Sequence, residues 1–494
     1  MLFIRSAKKR KNNKMPDYMK RHIKLLIITM LLSGISLSAQ TELDRNKCRE
    51  MALDYSRQVK ISQNQKEQAL LSQKIAKASY FPQLSASGFY FYQPDPLEYS
   101  LEGGPLPTYT PDQNGNLQPN VMVDPSTGKT VTGADGNPVF NMYAIMPDIN
   151  INMGLEGVTM GGVQLEQPVY MGGKIRTANK MASTGIEMAE MNINLKKADV
   201  IANADAAFFQ LVSVKAKKET ANDYKTLLDS LVATIEDGLE HGMATRNELL
   251  KVKVKRNEAI LMVQKAESGV QLSRMNLCRI IGLPLETEIS VNIQMQDDVI
   301  SPEPENITPI VEQRQEFQIL RKKTEMGRHE EKMARAEMLP QIGVSAGYSY
   351  FGGFDINGQG TDQMDFSAIA TVKIPIFKWF EERNKLSKAR LNTEVAQMEL
   401  EETERLLQLE IAQAEFNLKD AQTRLELTQS ALQEAEENLE TSQDRYSEGM
   451  ERLVDLLEAQ AQWQEARSNN IDAETSLKLM KTKYLKATGQ LLSH

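Results

Sequence analysis

Cysteine, histidine and aromatic residues are scarce in this chain, and after residue 39 so is any long apolar run. Two cysteines, Cys48 and Cys278, are too few for a disulfide framework or a paired-cysteine metal site. One disulfide between them is open to an exported protein, but nothing in the spacing argues for it and inert free thiols are the preferred reading. The four histidines, His22, His241, His329 and His494, are scattered, and no phosphate-cradling glycine loop or nucleophile motif accompanies them. The chain therefore reads as no enzyme, with no cofactor and no metal site. Proline is missing from Lys174 to Gly242 and again from Trp379 to Gly449. Such stretches are too long for an ordinary globule and predict helices reaching about 100 Å at 1.5 Å per residue.

Positive charge is also short once the N-terminus is set aside. Residues 1–39 hold nine of the 58 Lys and Arg but only one of the 66 Asp and Glu, leaving 49 against 65, about −16. That balance disfavours nucleic acid as a partner. Lys20-Arg-His-Ile-Lys24, an apolar run to Leu32 and a small Ala39 predict a secretory signal peptide over 1–39, with Met19 the more natural start. No later apolar helix could span a bilayer, so a membrane form of this protein must cross as strands.

What the chain does have is a repeat. Pro168, Gly242 and Gly282 recur as Pro375, Gly449 and Gly489, each 207 residues on. Ser79-Tyr-Phe-Pro82-Gln-Leu84 recurs as Glu337-Met-Leu-Pro340-Gln-Ile342, 258 residues on, so the first copy holds a 51-residue insertion before Pro168. The expected organisation is a first repeat over 40–283, a linker over 284–308 and a second repeat over 309–494. The insertion is rich in Pro, Gly, Asn and Asp and forms an external loop over about 93–158, expected to cap or line a mouth.

Each repeat opens on alternating segments. Ile342, Val344, Ala346, Tyr348 and Tyr350 share one parity, as do Phe366, Ala368, Ala370, Val372, Ile374 and Ile376. The first copy answers with Leu84, Ala86, Tyr90 and Tyr92, then Val163, Leu165 and Val169. Tyr80, Phe81, Tyr170, Phe377, Trp379 and Phe380 mark one end of these runs, and Tyr90, Tyr92, Tyr348 and Tyr350 the other, as interface girdles would. Four strands cannot close a barrel and an open edge cannot sit in lipid, so several copies must contribute. In the second long helix Ile411, Leu418, Leu425, Leu432, Leu439 and Tyr446 recur every seven residues. Small Ala414, Ala421, Thr428, Ala435 and Ser442 follow three positions later.

Tandem strand–strand–helix–helix repeats behind a leader, and above all Tyr446-Ser-Glu-Gly449-Met-Glu-Arg-Leu-Val-Asp455-Leu-Leu-Glu458-Ala-Gln460, resemble the TolC-like outer-membrane efflux proteins. The resemblance implies an α+β, mainly α protomer. Three copies would form a 12-stranded β-barrel in outer-membrane lipid and a 12-helix periplasmic tunnel. An equatorial belt would draw on Glu42–Ala78, Pro284–Thr308, the helix after Pro309 and the C-terminal tail. It implies a passive export channel working with a periplasmic adaptor and an inner-membrane pump of RND or ABC type. Asp455, Glu458, Tyr446 and Arg452 become candidates for the periplasmic gate. The turn residues Gly242, Met243, Ala244, Thr245, Gly449 and Met450 become candidates for adaptor docking. Glu451 departs from the family, whose best-known members place Arg two residues after the turn glycine. The alternative is an exported coiled-coil adaptor, which needs one helical hairpin where this chain has two.

Overall fold

The computed structural model describes residues 41–154, 157–291, 307–357 and 359–493. The expected leader and its cleavage point lie outside these residues, as does most of the linker, including Pro302 and Pro304. The chain opens with β1 (Thr41–Leu43), α1 (Arg45–Tyr55) and α2 (Arg57–Ala78), then β2 (Gln83–Phe91). The insertion contributes β3 (Leu97–Leu101), β4 (Gly104–Pro107), β5 (Tyr109–Pro111), β6 (Leu117–Pro119), β7 (Tyr143–Met146) and β8 (Ile149–Gly154). The first repeat ends with β9 (Val158–Met171), α3 (Lys174–Glu240) and α4 (Arg246–Ile281). After β10 (Ile289–Val291) come α5 (Ile307–Gln313), α6 (Gln315–Ala336), β11 (Gln341–Ile356), β12 (Gln359–Lys373), α7 (Glu381–Ser447) and α8 (Leu453–Ala487). The α+β, mainly α reading holds. Among the described residues no helix is long and apolar enough to cross a membrane.

The four recurring glycines share one task. Gly242, Gly282, Gly449 and Gly489 all have φ between 73° and 81°, each just past a long helix. Met243 N–H donates to Gly238 O, Met450 N–H to Arg445 O, Leu283 N–H to Cys278 O and Gln490 N–H to Leu485 O. These are the six-to-one bonds of the Schellman stop, whose left-handed residue glycine adopts without a Cβ clash. The 207-residue period is therefore a period of helix ends.

Two compact groups of residues divide the chain, and they cut across the repeats. One gathers described residues of Met1–Glu67, Ile186–Lys323 and Gln397–His494; the other holds Gln68–Gly185 and Thr324–Ala396. In the first, Leu43, Cys48 and Ala52 pack with Ala204, Phe208 and Leu211 of α3, with Leu277 and Cys278 of α4, and with Ile289 of β10. β1 lies parallel to β10, Thr41 facing Ile289. Both cysteines are buried and free.

The heptad reading of α7 is visible in its burial. Ile411, Leu418, Ala421, Leu439 and Ser442 are buried, and the other positions of the two rows are half-buried. Each fully buried Leu or Ile contributes about 1.5–3 kcal/mol. In α3, Ala204, Leu211 and Val232 follow the same rule. Lys218 and Lys225, which interrupt the row, turn to Glu267 and Asp229 at 3.3 and 2.6 Å.

The second group is the sheet. β2, β9, β11 and β12 run antiparallel in that order. Pro82 and Pro340 immediately precede β2 and β11, where a missing N–H costs no ladder bond. Two details differ from the sequence reading. β12 stops at Lys373, so Ile374 and Ile376 lie outside the strand, because Pro375 cannot donate to the ladder. Its counterpart Pro168 stays within β9 only because a bulge falls there, which drops Val169 from the ladder and sets Tyr170 opposite Ile342. The insertion is a nested ladder, β3 with β8, β4 with β7 and β5 with β6. Above β9, β8 takes over the same edge of β11 through Met153 and Gly154.

Candidate functional site: the helical turns and the open sheet

The turns between the long helices start from the same geometry and finish it differently. In the first, Thr245 caps α4, and Glu248 accepts from both the Thr245 N–H and hydroxyl at 2.8 Å. This reciprocal capping box holds the Glu248 carboxyl below its usual range, chiefly through the backbone bond. Moving 207 residues on replaces Thr245 by Arg452 and Glu248 by Asp455. Arg452 occupies the cap of α8 without a side-chain cap bond. Its guanidinium instead donates twice to Asp455, both at 2.8 Å. The hydrogen-bonded Arg452 holds the Asp455 carboxyl below the usual carboxylate range.

Two of the four gate candidates thus meet directly. Glu458 lies exposed one turn on and accepts from Gln462 at 3.3 Å. Tyr446 is half-buried at the margin of an apolar cluster that includes Tyr224, Leu228, Ile235, Val252, Leu439, Leu453, Leu456 and Trp463. Burial, with the Glu248 charge a smaller cause, pushes its phenol up. That cluster draws on both helical hairpins, so the two turns are held as one tip. Glu451 accepts from the Ser442 hydroxyl at 2.8 Å and lies 3.8 Å from Arg445. It ties α8 to α7 within its own hairpin. The docking candidates Met243 and Met450 are 79% and 61% exposed. Cβ atoms built on Gly242 or Gly449 meet nothing within 4 Å.

Sequence reasoning missed the polar groups that lock these helices. Asp205 is fully buried and takes Arg49 at 2.8 and 2.6 Å and the Thr482 hydroxyl at 3.1 Å, joining α1, α3 and α8. The available signal was a lone carboxylate inside the apolar run Ala202-Asn-Ala-Asp205-Ala-Ala-Phe-Phe209. Arg314 is also buried and reaches Glu316, Glu410 and the Ala487 carbonyl at 2.6, 2.9 and 2.9 Å. Nearer the tip, Arg467 lies 5.3 Å from the Trp463 ring and donates to Asp223 at 2.8 Å.

In the sheet the registers carry the alternation across all four strands. Leu84 faces Leu165, which faces Ala346, which faces Ala368; Ala86, Val163, Tyr348 and Phe366 form the next row. One face is therefore apolar and exposed, with Leu84 at 72% and Tyr348 at 61%. The other presents Ser85, Gln164, Gly347 and Ser367 in one row and Ser87, Gly162, Ser349 and Asp365 in another. From Ile342 to Tyr350 the apolar face runs about 27 Å along the strand, which suits a tilted bilayer crossing. Tyr348 and Phe366 pair at one end with centroids 5.3 Å apart. Phe377, with Trp379 at 5.4 Å and Phe380 at 5.7 Å, marks the other. Tyr170, Phe377 and Trp379 are all exposed, Trp379 at 85%. The outer edges of β2 and β12 have no partner strand among the described residues.

The protomer shares its fold with solved outer-membrane channels. Residues 308–490 match the outer membrane efflux protein family. A curated relative, the outer membrane protein TolC of Escherichia coli (strain K12), is 27% identical over 146 residues, 29% of either chain. Among solved structures, CusC aligns with a TM-score of 0.69 at 14% identity over 90% of this chain and 91% of its own. CmeC of Campylobacter jejuni gives 0.67 at 18% over 90% and 86%. VceC of Vibrio cholerae gives 0.65 at 16% over 90% and 96%. Residues 308–490 thus resemble outer-membrane efflux proteins in sequence, and nine-tenths of the chain shares the fold of solved outer-membrane channels.

Proposed function

We propose that this protein is the passive outer-membrane channel of an export system, one third of a trimer that continues into the periplasm as a helical tunnel. The observation that carries this reading is the sheet: apolar on one face, polar on the other, and unpaired at both edges among the described residues. Neither the bare edges nor the apolar face is tolerable alone, because lipid cannot satisfy a strand's N–H and C=O groups. Three identical sheets joined edge to edge remove every edge and give twelve strands. The helical hairpins would line a tunnel whose narrow end lies at the glycine turns. An inner-membrane pump of RND or ABC type supplies the energy, and a periplasmic adaptor bridges the two.

At the tip, the proposed gate is a ring of Arg452–Asp455 pairs with Glu458 behind it. Bare carboxylates about 8 Å apart repel by roughly 2 kcal/mol at an effective dielectric near 20. Arg452 neutralises that repulsion within each copy, so the ring closes without requiring bound cations. The exposed Met243, Thr245 and Met450, with the half-buried Ala244, lie beside the two glycines and form the surface an adaptor hairpin would meet. The test is extraction from outer membranes followed by electrophoresis and planar-bilayer recording. A heat-resistant trimer that conducts supports the channel; a water-soluble monomer would leave only an exported coiled-coil protein.

A further inference from the structure

The polar face of the sheet is not polar to its upper end. Phe89 stands opposite Met160, and Met160 opposite Phe351, so three large apolar side chains form one row across β2, β9 and β11 on a face that elsewhere carries mainly serine, glycine, glutamine and acidic residues, with Ile369 opposite Ser345. Phe91, one step higher on that face, stacks on Phe89 with centroids 6.3 Å apart and planes 8° from parallel. Phe89 is 56% exposed and Met160 44%, so neither is a core residue.

Below the row the surface falls into a hollow of about 470 Å³. Its floor is glycine: a Cβ on Gly162 would lie 2.6 Å from the Tyr348 carbonyl oxygen, and one on Gly347 2.5 Å from that of Val163. Neighbouring backbones therefore crowd on this side, which makes it the concave face of a curved sheet. The hollow has two chemically distinct borders. Phe89, Met160 and Phe351 form the apolar one, and Ser87, Gln164 and Ser349 supply hydroxyl and amide groups on the other, where Ile369 is the one large apolar side chain on this face. Its volume falls in the range of small-molecule sites, and an apolar wall with a few polar groups is their usual lining.

We propose that this hollow is a binding site for aromatic amphiphiles on the channel wall. Flat rings stack against Phe89 and Phe351 beside the Met160 thioether, while a hydrogen-bonding group meets Ser87, Gln164 or Ser349. The site rests on the channel reading for its location inside the pore, but its chemistry is its own. In a trimer three such sites stand at one level and hold aromatic cargo briefly before release.

The experiment uses the full trimer in lipid nanodiscs and rhodamine 6G, a flat aromatic amphiphile, with binding read by fluorescence anisotropy against empty nanodiscs. Saturable binding beyond the lipid background is expected. Phe89→Ser combined with Phe351→Ser should weaken it at least tenfold, whereas Phe366→Ser on the opposite face should leave it unchanged. Phe89→Leu keeps an apolar strand residue should the double variant fail to assemble, and it should weaken binding severalfold. Binding no greater than in empty nanodiscs overturns the site, as does equal binding in the Phe89 variants and wild type. Absent conductance with intact, Phe89-dependent binding would sink the channel reading and leave the site standing.

Discussion

At the residue scale the helical frame hangs on a few buried charges. Asp205 has no water to fall back on, and its two oxygens are taken up by Arg49 and Thr482. Removing one partner strands the other, so Arg49→Met should destabilise the protein by about 3–5 kcal/mol, whereas replacing Arg49 and Asp205 together by apolar residues should cost much less. Chemical denaturation of the detergent-solubilised protein measures both. The turn glycines separate strain from collision in the same way. A Cβ on Gly449 meets nothing, and Gly449→Ala should cost only the left-handed strain, about 1 kcal/mol. A Cβ on Gly282 would lie 2.4 Å from Tyr55, so Gly282→Ala should lower the unfolding midpoint clearly further. The sequence announced these glycines because they recur. It did not announce Asp205, whose partners are 156 and 277 residues away.

At the scale of elements, periodicity was the legible part. Both 67-residue helices end within two residues of the glycines that predict their ends. The strands were legible wherever polar and apolar residues alternate. They were misjudged at Pro375 and Val169, where one missing N–H and one bulge decide the ladder. Chemistry at the tip was only half legible. Asp455 stood out as an acid beside a turn, but its role follows from Glu248, the equivalent capping acid of the first repeat. Because Arg452 lowers the Asp455 pKa, the pair is intact above the ordinary carboxylate range and is lost as pH falls through that lowered value, below about pH 4. Bilayer conductance should therefore show an acid transition. Arg452→Ala should move it to higher pH by returning Asp455 toward its ordinary pKa, and Asp455→Asn should abolish it. A transition indifferent to both variants would assign gating to other residues.

At the scale of the whole molecule the open edges make the sharpest demand. β2 and β12 each offer one side to the sheet and have no partner strand on the other among the described residues. On the proposed trimer, β2 of one copy would pair with β12 of the next, and closure after three copies would make every such junction equivalent. The chain's own chemistry makes this measurable. Cys48 and Cys278 are buried, and burial pushes the Cys48 thiol up to about 12, so neither should react with a mild oxidant. A panel joining one new cysteine in Gln83–Phe91 with one in Gln359–Lys373 therefore starts from a silent background. Pairs in register should give cross-linked dimers and trimers in membranes, their yield alternating along the strand with period two as side chains point in or out. Two singly substituted proteins, co-expressed, should give dimers only. Uniform yields, or cross-links confined to single chains, would mean that the edges are covered some other way and that the protomer is not one third of a closed wall.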